Sequence, residues 1–261
     1  MIKELLRACH PLPAAAVTMI SGALALALGH ALPSAALAAA TVGASQLSVG
    51  WANDAIDARR DQAVDRSDKP LVTHSHLVGT VKIAALIATL VTLAAAWAWG
   101  WPRGALIALA LASAQLYNWP LKATAASIVP YFVSFAVLPA FLAPGRAPLW
   151  MIVAAALLGG GAHLVNAIPD FEQDRVTGVR GLPHRLGEKP SLYLASALLL
   201  GATALLVWGA RPPAWASVAA LALALSLPVL GRWASPRTTF RALLVVAALD
   251  VVLLIVSGAS H

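Results

Sequence analysis

Eleven carboxylates stand in a chain of 261 residues, and eight of them fall in two short stretches: Asp54, Asp57, Asp61, Asp65 and Asp68, then Asp170, Glu172 and Asp174. Asn53, Asp57 and Asp61 are four residues apart, and so are Asn166, Asp170 and Asp174. The shared pattern, Asn-x-x-x-Asp-x-x-x-Asp, suggests two related halves that face one another. Residues i, i+3 or i+4, and i+7 share one face of a helix, so Asp54, Asp57 and Asp61 are expected on one face and Asp170 and Asp174 on another. Stacked carboxylates repel, and a carboxylate in mid-bilayer costs about 2.5–3.5 kcal/mol on insertion scales. Such clusters call for cations.

Zinc does not suit them, because no His or Cys accompanies the acids at ligand spacing, and Cys9 is the only cysteine, which also excludes an internal disulfide. Hard oxygen donors point to magnesium, or manganese in its place. Magnesium takes few carboxylates and shares its shell with phosphate oxygens, so the expected ligand is a diphosphate bridged by metal between Asp54, Asp57, Asp61, Asp170 and Asp174. Metal on its oxygens turns the diphosphate into a good leaving group. Basic residues would complete the clamp: Lys122, Arg59, Arg60, Arg66, Lys69 and Arg175. Lys122 is the best placed, just after Tyr117 and the Pro120-Leu121-Lys122 turn. Acidic runs are ordinarily solvated loops. These keep helical spacing and sit where the positive-inside tendency favours Lys and Arg, which favours function.

The elements that must position these residues are membrane helices. The chain is 60% hydrophobic and 11% charged, and nine apolar runs approach the length of about 20 residues that a bilayer requires: roughly 12–30, 33–52, 78–98, 103–119, 125–142, 148–168, 191–209, 213–230 and 238–257. None alternates polar and apolar residues, so an all-α polytopic bundle is expected rather than a barrel. With the N-terminus inside, only Arg103, Arg146 and Arg211 of the 18 basic residues fall outside, as the positive-inside rule requires. The acidic loops are then cytoplasmic, in what is expected to be a bacterial-type plasma membrane. The first run follows Lys3 and Arg7; it is too long for a typical signal peptide and a second run follows at once, so it reads as a span. Short loops leave room for a single membrane domain over 1–261. The net charge of +7 is explained by these loops, and no nucleic-acid motif is present.

Polar residues inside the spans point to a central cavity, because they are costly against lipid. Gln46 precedes Asn53, and His163, Asn166 and Asp170 share a face, as do Gln115, Asn118 and Lys122. Asp250, deep in the last run, has no motif partner.

Asn53-Asp54-x-x-Asp57-x-x-x-Asp61 resembles the first aspartate-rich motif of the UbiA superfamily of intramembrane prenyltransferases, and Asp170-x-x-x-Asp174 resembles the second. Asp68-Lys69-Pro70, the segment from Tyr117 to Lys122, and Gly178 to Pro183 ahead of Leu186-Gly187 also have family counterparts. The resemblance implies a helical bundle around a central cavity, a cytoplasmic cap holding magnesium and diphosphate, and a lateral opening to lipid for the isoprenoid tail. It implies an isoprenyl diphosphate donor, bound with the help of Asn53, Lys122, Tyr117, Asn166, Arg59, Arg66 and Arg175. The acceptor it implies is a small lipophilic molecule, in the family commonly an aromatic quinone precursor. Two positions depart from the family pattern: Tyr117 and Lys122 are one residue further apart than in many relatives, and Gly181 stands where many have Thr. A terpene cyclase of the same superfamily would use the same motifs without an acceptor. A cation transporter would place its acids near the midplane, often on broken helices, rather than at span ends.

Overall fold

The computed structural model describes residues 1–67, 69–233 and 236–258. Among them there is no strand; the helices are α1 (Ile2–Ala8), α2 (Pro11–Ala27), α3 (Leu32–Ala63), α4 (Pro70–Thr73), α5 (Val78–Trp99), α6 (Arg103–Asn118), α7 (Val129–Leu142), α8 (Leu149–Ala167), α9 (Phe171–Val176), α10 (Leu182–Leu186), α11 (Glu188–Ala210), α12 (Ala214–Trp233) and α13 (Pro236–Gly258). All nine expected apolar runs are helical. Among the described residues, five helical stretches are long and apolar enough to cross a bilayer: Leu32–Ala63, Ser75–Trp99, Ala125–Leu142, Leu149–Ala167 and Glu188–Ala210. A sixth is added if α1 and α2, bent by 70° at their junction, count as one span. His10 makes that bend with a left-handed backbone, φ 53°.

Successive long helices pack side by side: α2 on α3, α3 on α5, α5 on α6, α6 on α7, α7 on α8, and α8 on α11. α13 closes the ring by packing on α11, α12, α2 and α8. The core between them is built from small and branched apolar residues, among them Ala25, Ala38, Ala154, Ala195, Ala202 and Leu199. In a bilayer, helices gain little by leaving lipid for one another, so close approach through such small residues carries the packing. Exposed tryptophans mark the two rims. Trp97, Trp101, Trp208 and Trp215 crowd one end, while Trp119 and Trp233 stand at the other, the distribution expected of interfacial belts.

α3 is the element that matters most for the chemistry. Its helix continues to Ala63, eleven residues past the expected end of the span, and carries the first aspartate motif out of the apolar layer without a break. The second motif lies past the end of α8, on the short 3₁₀ turn Ile168–Asp170 and on α9. Both motifs therefore emerge at the same end of the bundle, where α1, α4 and α10 form a cap.

Candidate active site

Asn53, Asp57 and Asp61 point from α3 into a cavity of about 150 Å³ that is also lined by Asp174, Lys122, Arg60 and Tyr117. Four-residue spacing on α3 keeps the first three on one face. Asp54, one residue on from Asn53, is rotated out of it and lines neither this cavity nor the next. It is buried instead against Lys69, whose Nζ donates to Oδ1 at 2.8 Å, and against His10, whose Nε2 lies 3.1 Å away. Arg59 is likewise turned outward and exposed; Arg60, a further 100° round the helix, enters the cavity in its place. Arg66 lines the cavity. The side chains of Asp170 and Arg175 lie outside the described residues, as does Asp68.

Lys122 and Arg60 both donate to the Asp57 carboxylate, and Lys122 Nζ also donates to Asn53 Oδ1 at 3.3 Å. Burial holds the Lys122 ammonium below the ordinary lysine range, and the facing Asp57 carboxylate works against that shift. Lys122 is brought there by α6. Gln115 Nε2 donates to Ser48 Oγ at 3.0 Å and Asn118 Nδ2 to the Val49 carbonyl at 2.9 Å, fastening α6 to α3. The chain then turns through Leu121–Ala123, which absorbs the extra residue between Tyr117 and Lys122, and both side chains reach the same cavity.

A second cavity, of about 400 Å³, shares Asn53, Tyr117, Lys122 and Asp174 with the first and continues to Gln46, Tyr131, His163 and Asn166. The Tyr131 ring packs edge-on against Tyr117, with centroids 5.1 Å apart, and lies 4.7 Å from His163, centroid to centroid. Ser127 links this wall to the cap: its Oγ lies 3.0 Å from His163 Nε2 and accepts the Leu182 N–H at 2.8 Å. Gly181 makes the approach possible. A Cβ there would sit 2.6 Å from the Lys122 carbonyl oxygen and 3.0 Å from Ser127 Oγ, which accounts for glycine at a position where many relatives carry Thr. Near the second motif, His184 Nε2 lies 3.3 Å from Asp174 Oδ2 and its ring stacks on Phe171.

His10, Ser127, Tyr131 and His184 are site residues that motif spacing does not reveal. Each comes from an element with no repeat to mark it, and Ser127 and Tyr131 read in sequence as ordinary residues of an apolar run.

Among the described residues, no three His, Cys, Asp or Glu side chains converge closely enough to hold a bare metal ion. Asp57 and Asp54 are instead neutralised by lysine and arginine. The donor set still fits magnesium carried by a phosphate: Asp57, Asp61 and Asp174 open on one cavity from opposite sides, the donors are hard oxygens, and magnesium prefers few carboxylates with phosphate completing its shell.

The sequence profile of the UbiA prenyltransferase family matches residues 15–249. The chain belongs to the UbiA prenyltransferase family. Members of the UbiA family are integral membrane proteins. It is 32% identical over 190 residues to the bacteriochlorophyll synthase 33 kDa chain of Cereibacter sphaeroides, a match that takes in 64% of this chain and 59% of that protein. Its fold is that of a UbiA homolog from Archaeoglobus fulgidus, solved bound to DMAPP and Mg2+, with a TM-score of 0.72, 18% identity and coverage of 97% of this chain and 99% of the other. The same homolog bound to GPP and Mg2+ gives a TM-score of 0.72 at 17% identity, covering 99% and 100%.

Proposed function

We propose that this UbiA-family protein transfers the prenyl group of an isoprenyl diphosphate to a small lipophilic acceptor, aromatic or a quinone precursor, within the membrane. The observation that carries the reading is the meeting of Asp57 and Asp61 from α3 with Asp174 from beyond α8, around one cavity that also receives Lys122 and Arg60. The A. fulgidus homolog, bound to isoprenyl diphosphates and Mg2+, supports the same assignment of ligands here.

Asp57, Asp61, Asp174 and Asp170 would hold Mg2+, with Asp54 joining them only if it exchanges its contacts with Lys69 and His10. Bound Mg2+ would neutralise the charge that develops on the departing diphosphate. Lys122, Arg60 and Asn53, with Arg66 at the rim, bind the phosphate oxygens and hold the reacting carbon at the mouth of the second cavity. Lys122 and Arg60 can turn from Asp57 to the diphosphate as it arrives, so the resting ion pairs keep the clamp assembled. The second cavity joins apolar walls, among them Pro13, Ala14 and Val49, to polar groups that can fix the orientation of a small molecule. Tyr117, Tyr131 and Asn166 orient the acceptor there, and an acceptor that fills the cavity keeps water from the allylic cation. Attack by an electron-rich ring carbon forms the new C–C bond, and loss of the ring proton restores aromaticity. The whole chain acts as one membrane domain with the site facing the cytoplasm, in a bacterial-type plasma membrane, as the bias of Lys and Arg toward that end supports.

The test is diphosphate release by purified protein given geranyl, farnesyl or geranylgeranyl diphosphate with Mg2+, with and without a panel of phenolic and quinoid acceptors and a bacteriochlorophyll precursor. Acceptor-dependent release with a prenylated adduct by mass spectrometry is expected. Release without any acceptor, with a cyclised product, would replace the transferase by a cyclase. No release with any donor would sink the reading.

A further inference from the structure

His163 stands on α8 seven residues before Asp170, about 10 Å further into the bundle by helical rise. It is 3% exposed and borders the second cavity together with Tyr117, Tyr131 and Asn166. Packing and one hydrogen bond fix its place. Gly159 and Gly160, one turn earlier, let α7 close on α8: a Cβ on Gly159 would meet Phe135 Cγ at 2.6 Å, and one on Gly160 would meet Phe132 Cε1 at 2.5 Å. The Tyr131 and Tyr117 rings lie 4.7 and 5.7 Å from the imidazole, centroid to centroid. Ser127 Oγ is 3.0 Å from Nε2.

The Ser127 hydroxyl decides which ring nitrogen carries the proton. Its oxygen accepts the Leu182 N–H at 2.8 Å, and its single proton has one acceptor among the described residues, His163 Nε2. Ser127 is fully buried. Were Nε2 protonated, that oxygen would accept twice and the hydroxyl proton would be left unpaired away from water, which is costly. Nε2 therefore keeps its lone pair, the ring is neutral, and the proton sits on Nδ1. Nδ1 has no hydrogen-bond partner among the described residues and is not one of the polar atoms enclosed without a partner, so it reaches open space. The open space that His163 borders is the second cavity. A cavity of about 150 Å³ takes one benzene, so this one, at about 400 Å³, admits a ring with its substituents.

We propose that the His163 Nδ1–H is the specificity donor of the acceptor site, taking a neutral oxygen, such as a carbonyl, on the edge of the acceptor ring remote from the diphosphate. The inference rests on reading the second cavity as the acceptor site. A neutral donor does not repay the burial of a carboxylate, which selects an uncharged oxygen. A ring whose remote edge is all hydrocarbon leaves the N–H unpaired once the cavity is filled, so the site rejects it.

The experiment uses the full-length protein in detergent, with histidine rings labelled with heavy nitrogen, and two probes of nearly the same shape, para-hydroxyacetophenone and para-ethylphenol. Nitrogen-detected spectra read the His163 tautomer, its signals assigned by their loss in His163→Gln, and titration gives the two dissociation constants. Wild type is expected to show a protonated Nδ1 and a bare Nε2, and to bind the carbonyl probe about tenfold or more tightly than the ethyl probe, the scale of one unpaired buried donor. His163→Gln places its amide where Nε2 was and keeps the Ser127 bond, but has no donor at the Nδ1 position; the preference disappears. His163→Asn places its amide where Nδ1 was and retains the preference. A role in packing alone would not separate the two probes. Equal affinities in wild type, or a proton on Nε2, overturn the donor and leave the transferase reading standing. Wild-type protein that binds neither probe also overturns the donor, and diphosphate release then tells separately whether the transferase reading falls with it. Should His163→Gln fail to elute as a folded species, the wild-type tautomer and affinity ratio decide alone.

Discussion

Lys122 donates to both carboxylate oxygens of Asp57, joining the end of α6 to the middle of the aspartate face of α3. The pair holds the cationic and anionic halves of the clamp together at one spot. It also provides the first prediction: Asp57→Asn removes a proposed metal ligand and the counter-charge of a buried lysine in one step. Turnover is expected to fall by about 100-fold or more, the scale seen when a single preorganised electrostatic group is lost. Elution and helicity stay those of wild type. Full activity in this variant is the result that the proposed mechanism does not survive.

Chelation separates catalysis from folding. Asp54 and Asp57 are already matched by Lys69, Lys122 and Arg60, so the cap does not depend on metal to offset their repulsion. EDTA is expected to abolish turnover and leave the thermal unfolding midpoint unchanged within error, with activity restored by added Mg2+. A large fall in the midpoint on chelation would mean that metal is part of the resting fold.

Gly181→Thr tests the fit of the cap. The new Cβ meets the Lys122 carbonyl oxygen and Ser127 Oγ, neither of which can move without disturbing α10 or the turn that carries Lys122. Overpacking of this kind costs about 1–3 kcal/mol. Both the midpoint and the turnover number should drop, although many relatives carry Thr here. A Thr variant as stable and active as wild type would show that the cap is looser than this contact implies.

Asp250 lies fully buried among apolar helices, with Oδ1 accepting from Thr203 at 2.7 Å and no partner to Oδ2 among the described residues. Thr203 also lies 2.9 Å from the Leu199 carbonyl, so its hydroxyl keeps an acceptor if the acid is removed. A buried polar group without a full set of partners costs about 1–3 kcal/mol on mutational scales. Asp250→Leu is expected to raise the unfolding midpoint and leave kcat alone, because the residue borders neither cavity of the site. A loss of activity at unchanged stability would assign Asp250 a functional role.

Much of this molecule is decided locally. Long Ala- and Leu-rich runs are obliged to be helices because lipid offers the backbone no other partners, and four-residue spacing alone places Asn53, Asp57 and Asp61 on one face. The uneven spread of Lys and Arg then distinguishes one end of the bundle from the other, so the helical class, the family resemblance and the aspartate face were all legible from residue order.

The remainder depended on rotation and contact between helices. Whether Asp54 or Asp57 faces the cavity, and whether Arg59 or Arg60 does, turns on about 100° of helix rotation per residue, which only the neighbours of α3 settle. Ser127, Tyr131 and His10 become part of the site because α7, the 3₁₀ turn before it and the α1–α2 bend deliver them there, and no local pattern announces that meeting. The closeness of α7 to α8 is likewise a matter of packing: a Cβ on Gly159 would stand 2.6 Å from Phe135 Cγ, an approach that no local pattern marks.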